Sequence, residues 1–176
     1  MTNVILYYHE SFGLAIKIKE VFIMTFDEKI KALNDLAVAW YSTSQADSIH
    51  EAIFRGQGYG KFADHCKEEA EEELEEAKKC TARIVALGGK PEFGFVKQEI
   101  HYDPKELLDQ WYKEFTEGGI ASMNKLVSDL SDDAITRKMV EEFVEGEEEH
   151  CAWVAKHLAI IDKLGYDNYL LEMMDI

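Results

Sequence analysis

Glu147 and His150 stand three residues apart in the run Val144-Glu145-Gly146-Glu147-Glu148-Glu149-His150-Cys151-Ala152-Trp153. On a helix that spacing is close to one turn, so the carboxylate and the imidazole reach the same point. An oxygen donor and a nitrogen donor aimed together are what a divalent metal takes as ligands. One such pair on a Glu-rich helix is more often surface charge or a hydrogen-bonded core histidine. The pair gains meaning only if other elements direct ligands to the same depth.

Two other helical stripes do so. Around the pair, the inward stripe reads Ile135, Met139, Phe143, Glu147, His150, Val154, Leu158 and Ile161. An earlier stripe reads Phe62, Cys66, Glu69, Glu73, Glu76, Cys80, Ile84 and Leu87, with glutamates in the middle of an apolar seam. A third reads Leu107, Trp111, Glu114, Gly118 and Ala121. Counted from their turns, Glu73, Glu76, Glu114, Glu147 and His150 fall at matching depth. No lysine or arginine occupies that layer of these seams, and buried charges without a partner cost several kcal/mol each. A bound cation is the economical answer, with Glu73, Glu76, Glu114, Glu147 and His150 as its ligands. Carboxylates with one imidazole favour iron or manganese over a structural zinc site. A dinuclear centre would use Glu73 and Glu147 as bridges.

The elements that position these residues are set by helical periodicity and breakers. A first helix is expected from about Phe26 to Phe54, opened by a capping box at Thr25-Phe26-Asp27-Glu28, with Ile30, Leu33, Ala37 and Trp40 inward. Gly56, Gly58 and Gly60 end it. A second runs from about Lys61 to Leu87 and stops at Gly88-Gly89-Lys90-Pro91. Residues 88–104 form a linker that extends to roughly 50 Å, enough to run back along a helix about 40 Å long. Asp103-Pro104 starts a third helix that ends near Leu130, Ser131-Asp132-Asp133 caps a fourth reaching Leu164, and a short fifth covers about Asn168–Met174. Four long helices with two short turns and one long crossover predict an all-α four-helix bundle over residues 24–176. Residues 1–23 read as an extension ahead of it.

Composition narrows the function. The chain has 176 residues, 35 acids against 19 bases and a formal charge of −16. Such a balance argues against nucleic acid, which needs clustered Lys and Arg, and suits attraction of cations. No apolar run is long enough to cross a membrane. Cys66, Cys80 and Cys151 are odd in number and lack CxxC spacing, so they read as reduced thiols of a cytoplasmic protein.

The segment Glu147–Trp153, continued through Ile160-Ile161-Asp162-Lys163-Leu164-Gly165-Tyr166-Asp167-Asn168-Tyr169-Leu170, resembles the last helices of bacterioferritin. The end of the second helix, Arg83-Ile84-Val85-Ala86-Leu87-Gly88-Gly89-Lys90-Pro91, resembles the same ferritin-like family and its Dps-like members. The likeness covers about residues 25–174. It implies a ferritin-like bundle with a di-iron ferroxidase centre: a glutamate on the first helix, Glu-x-x-His on the second, a glutamate on the third and Glu-x-x-His on the fourth. Carried over without gaps, Glu147 and His150 match the fourth-helix pair, Glu114 the third-helix glutamate and Glu73 the start of the second-helix pair. Two positions depart. Glu76 stands where the second-helix histidine would be, and Trp40 where the first-helix glutamate would be. The nearest inward acids on that helix, Asp47 and Glu51, lie two to three turns further on, closer to His65 and Glu69 than to Glu73. Leu74 occupies the place of the methionine that holds haem in some members, so no haem is expected.

The resemblance implies an iron-binding protein that oxidises Fe(II) with O2 or H2O2, a ferroxidase-type oxidoreductase if the centre is intact, and that stores or detoxifies iron in a homo-oligomer. A cage-free di-metal oxidoreductase of the rubrerythrin or oxygenase kind, and a subunit that has lost its centre, are the alternatives. Tyr59, Tyr102, Trp111 and Trp153 are candidate electron carriers near an oxidising centre.

Overall fold

The computed structural model describes residues 2–4 and 21–175. Two three-residue strands, β1 (Thr2–Val4) and β2 (Val21–Ile23), pair antiparallel with Thr2 opposite Ile23. Most of the expected N-terminal extension lies outside the described residues. All other regular structure among the described residues is helical: α1 (Phe26–Gly56), α2 (Gly60–Ala86), α3 (Pro104–Glu114), α4 (Ile120–Asp129), α5 (Ala134–Leu164) and α6 (Tyr166–Met173). No helix is long and apolar enough to cross a membrane among the described residues.

The capping box forms as its sequence demands. Thr25 Oγ1 accepts from the Glu28 amide at 3.3 Å, and the Glu28 carboxylate accepts from the Thr25 amide at 2.9 Å. α1 and α2 then pack along their length as an antiparallel pair. At the far end of α2, the Gly89 amide reaches back to the Ile84 carbonyl, and Gly88 takes a φ of 83°. A Cβ on Gly89 would lie 2.5 Å from Ile30 Cδ1, so the small residue lets the crossover leave directly over α1.

The crossover runs along α1 in the same direction and is held to it by a ladder of polar side chains. Asn34 bonds the Lys90 carbonyl at 3.1 Å and the Glu92 amide at 2.8 Å. Ser42 Oγ accepts from the Val96 amide at 2.8 Å, His50 Nε2 from the His101 amide at 3.0 Å, and Gln57 donates to the Tyr102 carbonyl at 3.0 Å. Asn34, Ser42 and His50 are spaced by eight residues and buried. They satisfy backbone groups of an irregular segment that would otherwise lack partners.

The apolar core is divided in two. One layer, near the α1–α2 turn, gathers Phe54, Phe62, Leu107, Trp111, Val154 and Tyr169. The other, at the opposite end, gathers Leu33, Trp40, Cys80, Ile84, Val140 and Phe143. The polar residues of the three seams lie between them.

The third long helix is not continuous as expected. It is broken by a π-helical turn, Phe115–Gly119, where Gly118 adopts φ 135°. A Cβ on Gly119 would sit 2.8 Å from the Glu114 carbonyl oxygen. The wider turn inserts backbone into the seam and rotates α4 relative to α3, so Met123 and Leu126 pack inward and Ala121 is exposed. The start of the α5 stripe also differs from expectation. Ile135 is 68% exposed, and Thr136 takes the inward place because its hydroxyl accepts from Arg83 Nε at 2.7 Å. α6 begins at Tyr166, two residues earlier than expected, directly after Gly165.

Candidate metal centre

Between the two apolar layers, α2 and α5 bring His65, Glu69 and His150 together. One donor atom from each lies within 4.8 Å of the others. Glu69 Oε2 is 2.9 Å from His150 Nδ1, and Glu69 Oε1 is 3.5 Å from His65 Nε2. Because α5 runs antiparallel to α2, moving forward from Glu147 to His150 corresponds to moving back along α2 towards Glu69 and His65. The His65-x-x-x-Glu69-x-x-x-Glu73 spacing places all three α2 side chains on one face.

A cavity of about 310 Å³, open at a rim that includes exposed Glu99, Glu114 and Ser122, adjoins this cluster. Its walls include Asp47, Glu73, Glu114, Glu147 and His150, together with apolar side chains such as Leu36 and Met123. Among the described residues, no lysine or arginine lines it. Asp47, on α1, is 3% exposed. His50 Nε2 accepts from the His101 amide, so its Nδ1 is free to donate to Asp47 Oδ1 at 3.1 Å. Both nitrogens of His50 are thereby engaged, while the Asp47 carboxylate stays on the cavity wall.

Five sequence-predicted ligands take different places. His150 belongs to the three-residue cluster. Glu73 and Glu147 share the cavity wall with it. Trp40, in the place where the resemblance expects an α1 glutamate, donates its indole N–H to Glu147 Oε1 at 3.4 Å. Glu76 is 6% exposed and sits near Gly146, where a Cβ would lie 3.9 Å from its Oε1. Glu114 is exposed and accepts from Gln110 on its own helix at 2.6 Å, at the edge of the cavity. The sequence-predicted set omits His65 and Glu69. Both lie on the inward face of α2, and the i, i+4, i+8 spacing with Glu73 is the signal that could have found them. Asp47, expected nearer His65 and Glu69 than Glu73, is on the cavity wall with Glu73 and His150, and its charge acts on Glu73 while those of His150 and Glu69 act on it.

The electrostatics are those of crowded, buried carboxyls. Burial, then the neighbouring Asp47, Glu147 and Glu69, push the Glu73 carboxyl well above the usual range. Burial and then Glu147 push Glu76 up to about 8. Burial raises Glu147 too, opposed by His150 and the Trp40 hydrogen bond. Asp47 is raised by burial, opposed by His50. Burial, then His150 and His157, hold His65 down to about 3, so its nitrogens are free of a second proton. Glu73 Oε2, His65 Nε2 and His150 Nε2 are buried and have no hydrogen-bond partner. Unpaired acceptors in a dry interior are costly. A metal ion would satisfy them and offset the mutual repulsion of the acids. Two imidazoles and one carboxylate are also the donor set of non-haem Fe(II) sites. The residues therefore fit a ferrous ion.

A four-helix bundle with one long crossover and a carboxylate–imidazole cluster at mid-depth defines a ferritin-like protein. The profile of the ferritin-like domain family matches residues 30–164, and the chain belongs to that family. Its curated relatives include bacterial ferritins and bacterioferritins. It is 26% identical over 139 residues to the bacterial ferritin of Neisseria meningitidis serogroup B, covering 78% of this chain and 90% of that one. It is 25% identical to the bacterial ferritin of Pseudomonas aeruginosa, over 81% of this chain and 94% of the relative. The bacterioferritin of Brucella melitensis is also 25% identical, over 80% and 88% respectively.

Proposed function

We propose that this chain is a ferritin-like iron-binding protein that takes up Fe(II) inside its bundle and oxidises it with O2 or H2O2. The observation that carries the proposal is the His65–Glu69–His150 cluster, with three buried polar atoms of the site left unpartnered. In this reading His65, Glu69 and His150 hold one ion, and Glu73 and Glu147 stand ready beside it. Asp47 supplies the α1 carboxylate that Trp40 does not. Exposed Glu114 and the −16 net charge draw Fe(II) towards the cavity. A di-iron arrangement would use Glu73 and Glu147 for the second ion, and Mn(II) fits the same oxygen donors less well once two imidazoles take part. Iron storage or detoxification, a cytoplasmic location and a homo-oligomer are the further parts of the proposal that the ferritin relatives support. Residues 1–23 are proposed to stand outside the bundle domain.

Anaerobic titration with Fe(II), followed by exposure to air or peroxide, tests this reading. Stoichiometric binding and a ferric product are expected. Unchanged binding in His65→Ala with His150→Ala would sink it.

The cavity beside the cluster favours a second reading, an O2- or peroxide-dependent oxidoreductase of the same fold without a cage. Its apolar wall residues give room for a small organic substrate next to the ion. Size-exclusion chromatography separates the two, since storage needs a closed shell of many subunits.

A further inference from the structure

The cavity beside the cluster is larger and more apolar than metal ions require. Its volume of about 310 Å³ is twice the roughly 150 Å³ that holds a benzene ring in a protein interior. Leu36, Trp40, Leu107, Trp111, Phe115 and Met123 all contribute to its wall. A metal ion satisfies carboxylates but gives such rings and aliphatic chains nothing to pack against. An organic molecule does.

The charged groups on that wall are carboxylates. Asp47 on α1, Glu73 on α2 and Glu147 on α5 line it, and Asp47 and Glu147 both act electrostatically on Glu73. Asp47 is 3% exposed, and His50 engages only its Oδ1. Glu73 Oε2 is buried without a hydrogen-bond partner. Glu147 Oε1 has a single long bond, 3.4 Å, from the Trp40 indole. At the mouth, exposed Glu99 and Glu114 add two more negative charges.

This pattern selects among ligand classes. A carboxylate or phosphate would be repelled at the rim and would find no counter-charge inside. A neutral apolar molecule would cover the rings but leave Glu73 Oε2 unpaired in a dry interior. An ammonium group brings one positive charge and three N–H donors with no acceptor. Three carboxylates, one from each of three helices, are the matching acceptors.

We propose that the cavity binds a small primary amine whose apolar body is about the size of a phenyl ring. Asp47, Glu73 and Glu147 hold the ammonium, and Leu36, Trp111, Phe115 and Met123 hold the body. The inference rests on the cage-free oxidoreductase reading above and gives it a substrate class. His150 lines the same cavity, so the bound amine stands beside the His65–Glu69–His150 cluster. The amine site itself is built by the cavity walls and exists whether or not the cluster holds an ion.

The experiment is isothermal titration calorimetry of the full metal-free chain with three probes of similar size: phenethylamine, 2-phenylethanol and phenylacetate. Phenethylamine should bind at least about tenfold more tightly than 2-phenylethanol, the least that a charge-assisted hydrogen bond contributes. Phenylacetate should give only heat of dilution. Asp47→Asn combined with Glu73→Gln keeps the shapes and removes two charges, and should bring the amine down to the affinity of the alcohol. Ala39→Phe, which adds a ring to the cavity wall, should abolish binding of both and leave Fe(II) uptake by anaerobic titration unchanged. The probe series and the Asn/Gln variant decide the matter independently of Ala39→Phe. An alcohol that binds as tightly as the amine, an amine that binds the Asn/Gln variant as it binds wild type, or no binding of any probe to wild type would overturn the amine site. None of these outcomes touches iron binding. Amine binding by a wild type that takes up no Fe(II) would instead overturn the iron reading and leave the amine site standing.

Discussion

Glu69 and His150 face each other across the interior of the bundle, with Glu69 Oε2 2.9 Å from His150 Nδ1. The contact joins α2 to α5 at the level where the two apolar layers leave a gap. It orients the imidazole so that its other nitrogen, buried and unpartnered, is presented to the interior. A carboxylate that fixes a histidine in this way raises its basicity as a ligand.

Replacing Glu69 by Gln therefore separates ligand from support. The amide keeps a hydrogen-bonding oxygen but loses the charge. Fe(II) affinity should fall by about ten- to a hundred-fold. His150→Ala should remove stoichiometric binding, while far-ultraviolet circular dichroism stays helical in both. Anaerobic titration measures the affinities, and a Glu69→Gln protein that binds as tightly as wild type would remove Glu69 from the site.

The crowding of carboxyls predicts how metal-free stability depends on pH. Glu76 titrates near 8 in the folded chain and near its ordinary value when unfolded. Between those values the folded state binds the extra proton, so stability falls as pH rises through that window. The carboxyl is 6% exposed, and each unit of the difference is worth about 1.4 kcal/mol. Glu76→Gln should flatten the decline and raise the melting temperature at pH 8 more than at pH 5. Adding Fe(II) or Mn(II) anaerobically should do the opposite of the pH rise. At a hundred times the dissociation constant, binding stabilises by about 2.7 kcal/mol. That gain should be larger at pH 8, where the ligands are deprotonated.

Much of this architecture could be read from residue patterns, and the exceptions have physical reasons. The capping box at Thr25, the glycine stop at Gly88-Gly89 and the proline start at Pro104 are local signals, and local signals set both ends of α1 and α2, and the start of α3, within two residues. Between α3 and α4, the decisive feature is a pair of glycines that reads like any tolerated helix glycine. What it does, open a π turn, depends on backbone contacts within that turn. The inward face of α2 was legible, and so were the glutamates on it. His65 was harder to assign, because its neighbours Phe62 and Cys66 suggest a core histidine. Its role emerges only when α5 brings His150 alongside. The crossover ladder of Asn34, Ser42 and His50 was missed because polar residues at eight-residue spacing resemble a mixed helix face. Only the route of the crossover gives them partners.

The π turn itself can be tested. Gly118 has φ 135°, a region that side chains with a Cβ rarely adopt. Gly118→Ala should destabilise the chain by about 1–3 kcal/mol, the cost of a residue held in a sparsely populated backbone region. No atom lies within 4 Å of the added Cβ, so the cost is one of backbone and not of packing. Urea unfolding measures it. An unchanged midpoint would mean that the turn relaxes to an ordinary helix at no cost.

Asp133 anchors α5, and with it Glu147 and His150, in register with α2. Asp133 caps α5 by accepting from the Thr136 amide at 3.1 Å and from its hydroxyl at 2.6 Å. Arg83 on α2 reaches both of its oxygens, at 2.9 and 3.1 Å, and Lys29 on α1 approaches to 3.3 Å. Burial pushes this carboxyl up. The Thr136 bonds, Lys29 and Arg83 outweigh burial and hold it well below the usual range. A carboxyl held low stabilises the fold above its unfolded value, and that stability is lost as pH falls through its folded value. Asp133→Asn keeps a good cap and drops the charge, so it should lose about 1–2 kcal/mol at neutral pH. Asp133→Ala drops both, and should lose about 2–3 kcal/mol. As pH falls below the usual carboxylate range, wild type should lose its advantage over Asp133→Asn but keep the cap's share of its advantage over Asp133→Ala. A wild-type advantage over Asp133→Asn that persists undiminished into strong acid would show that the charge contributes nothing to the anchor.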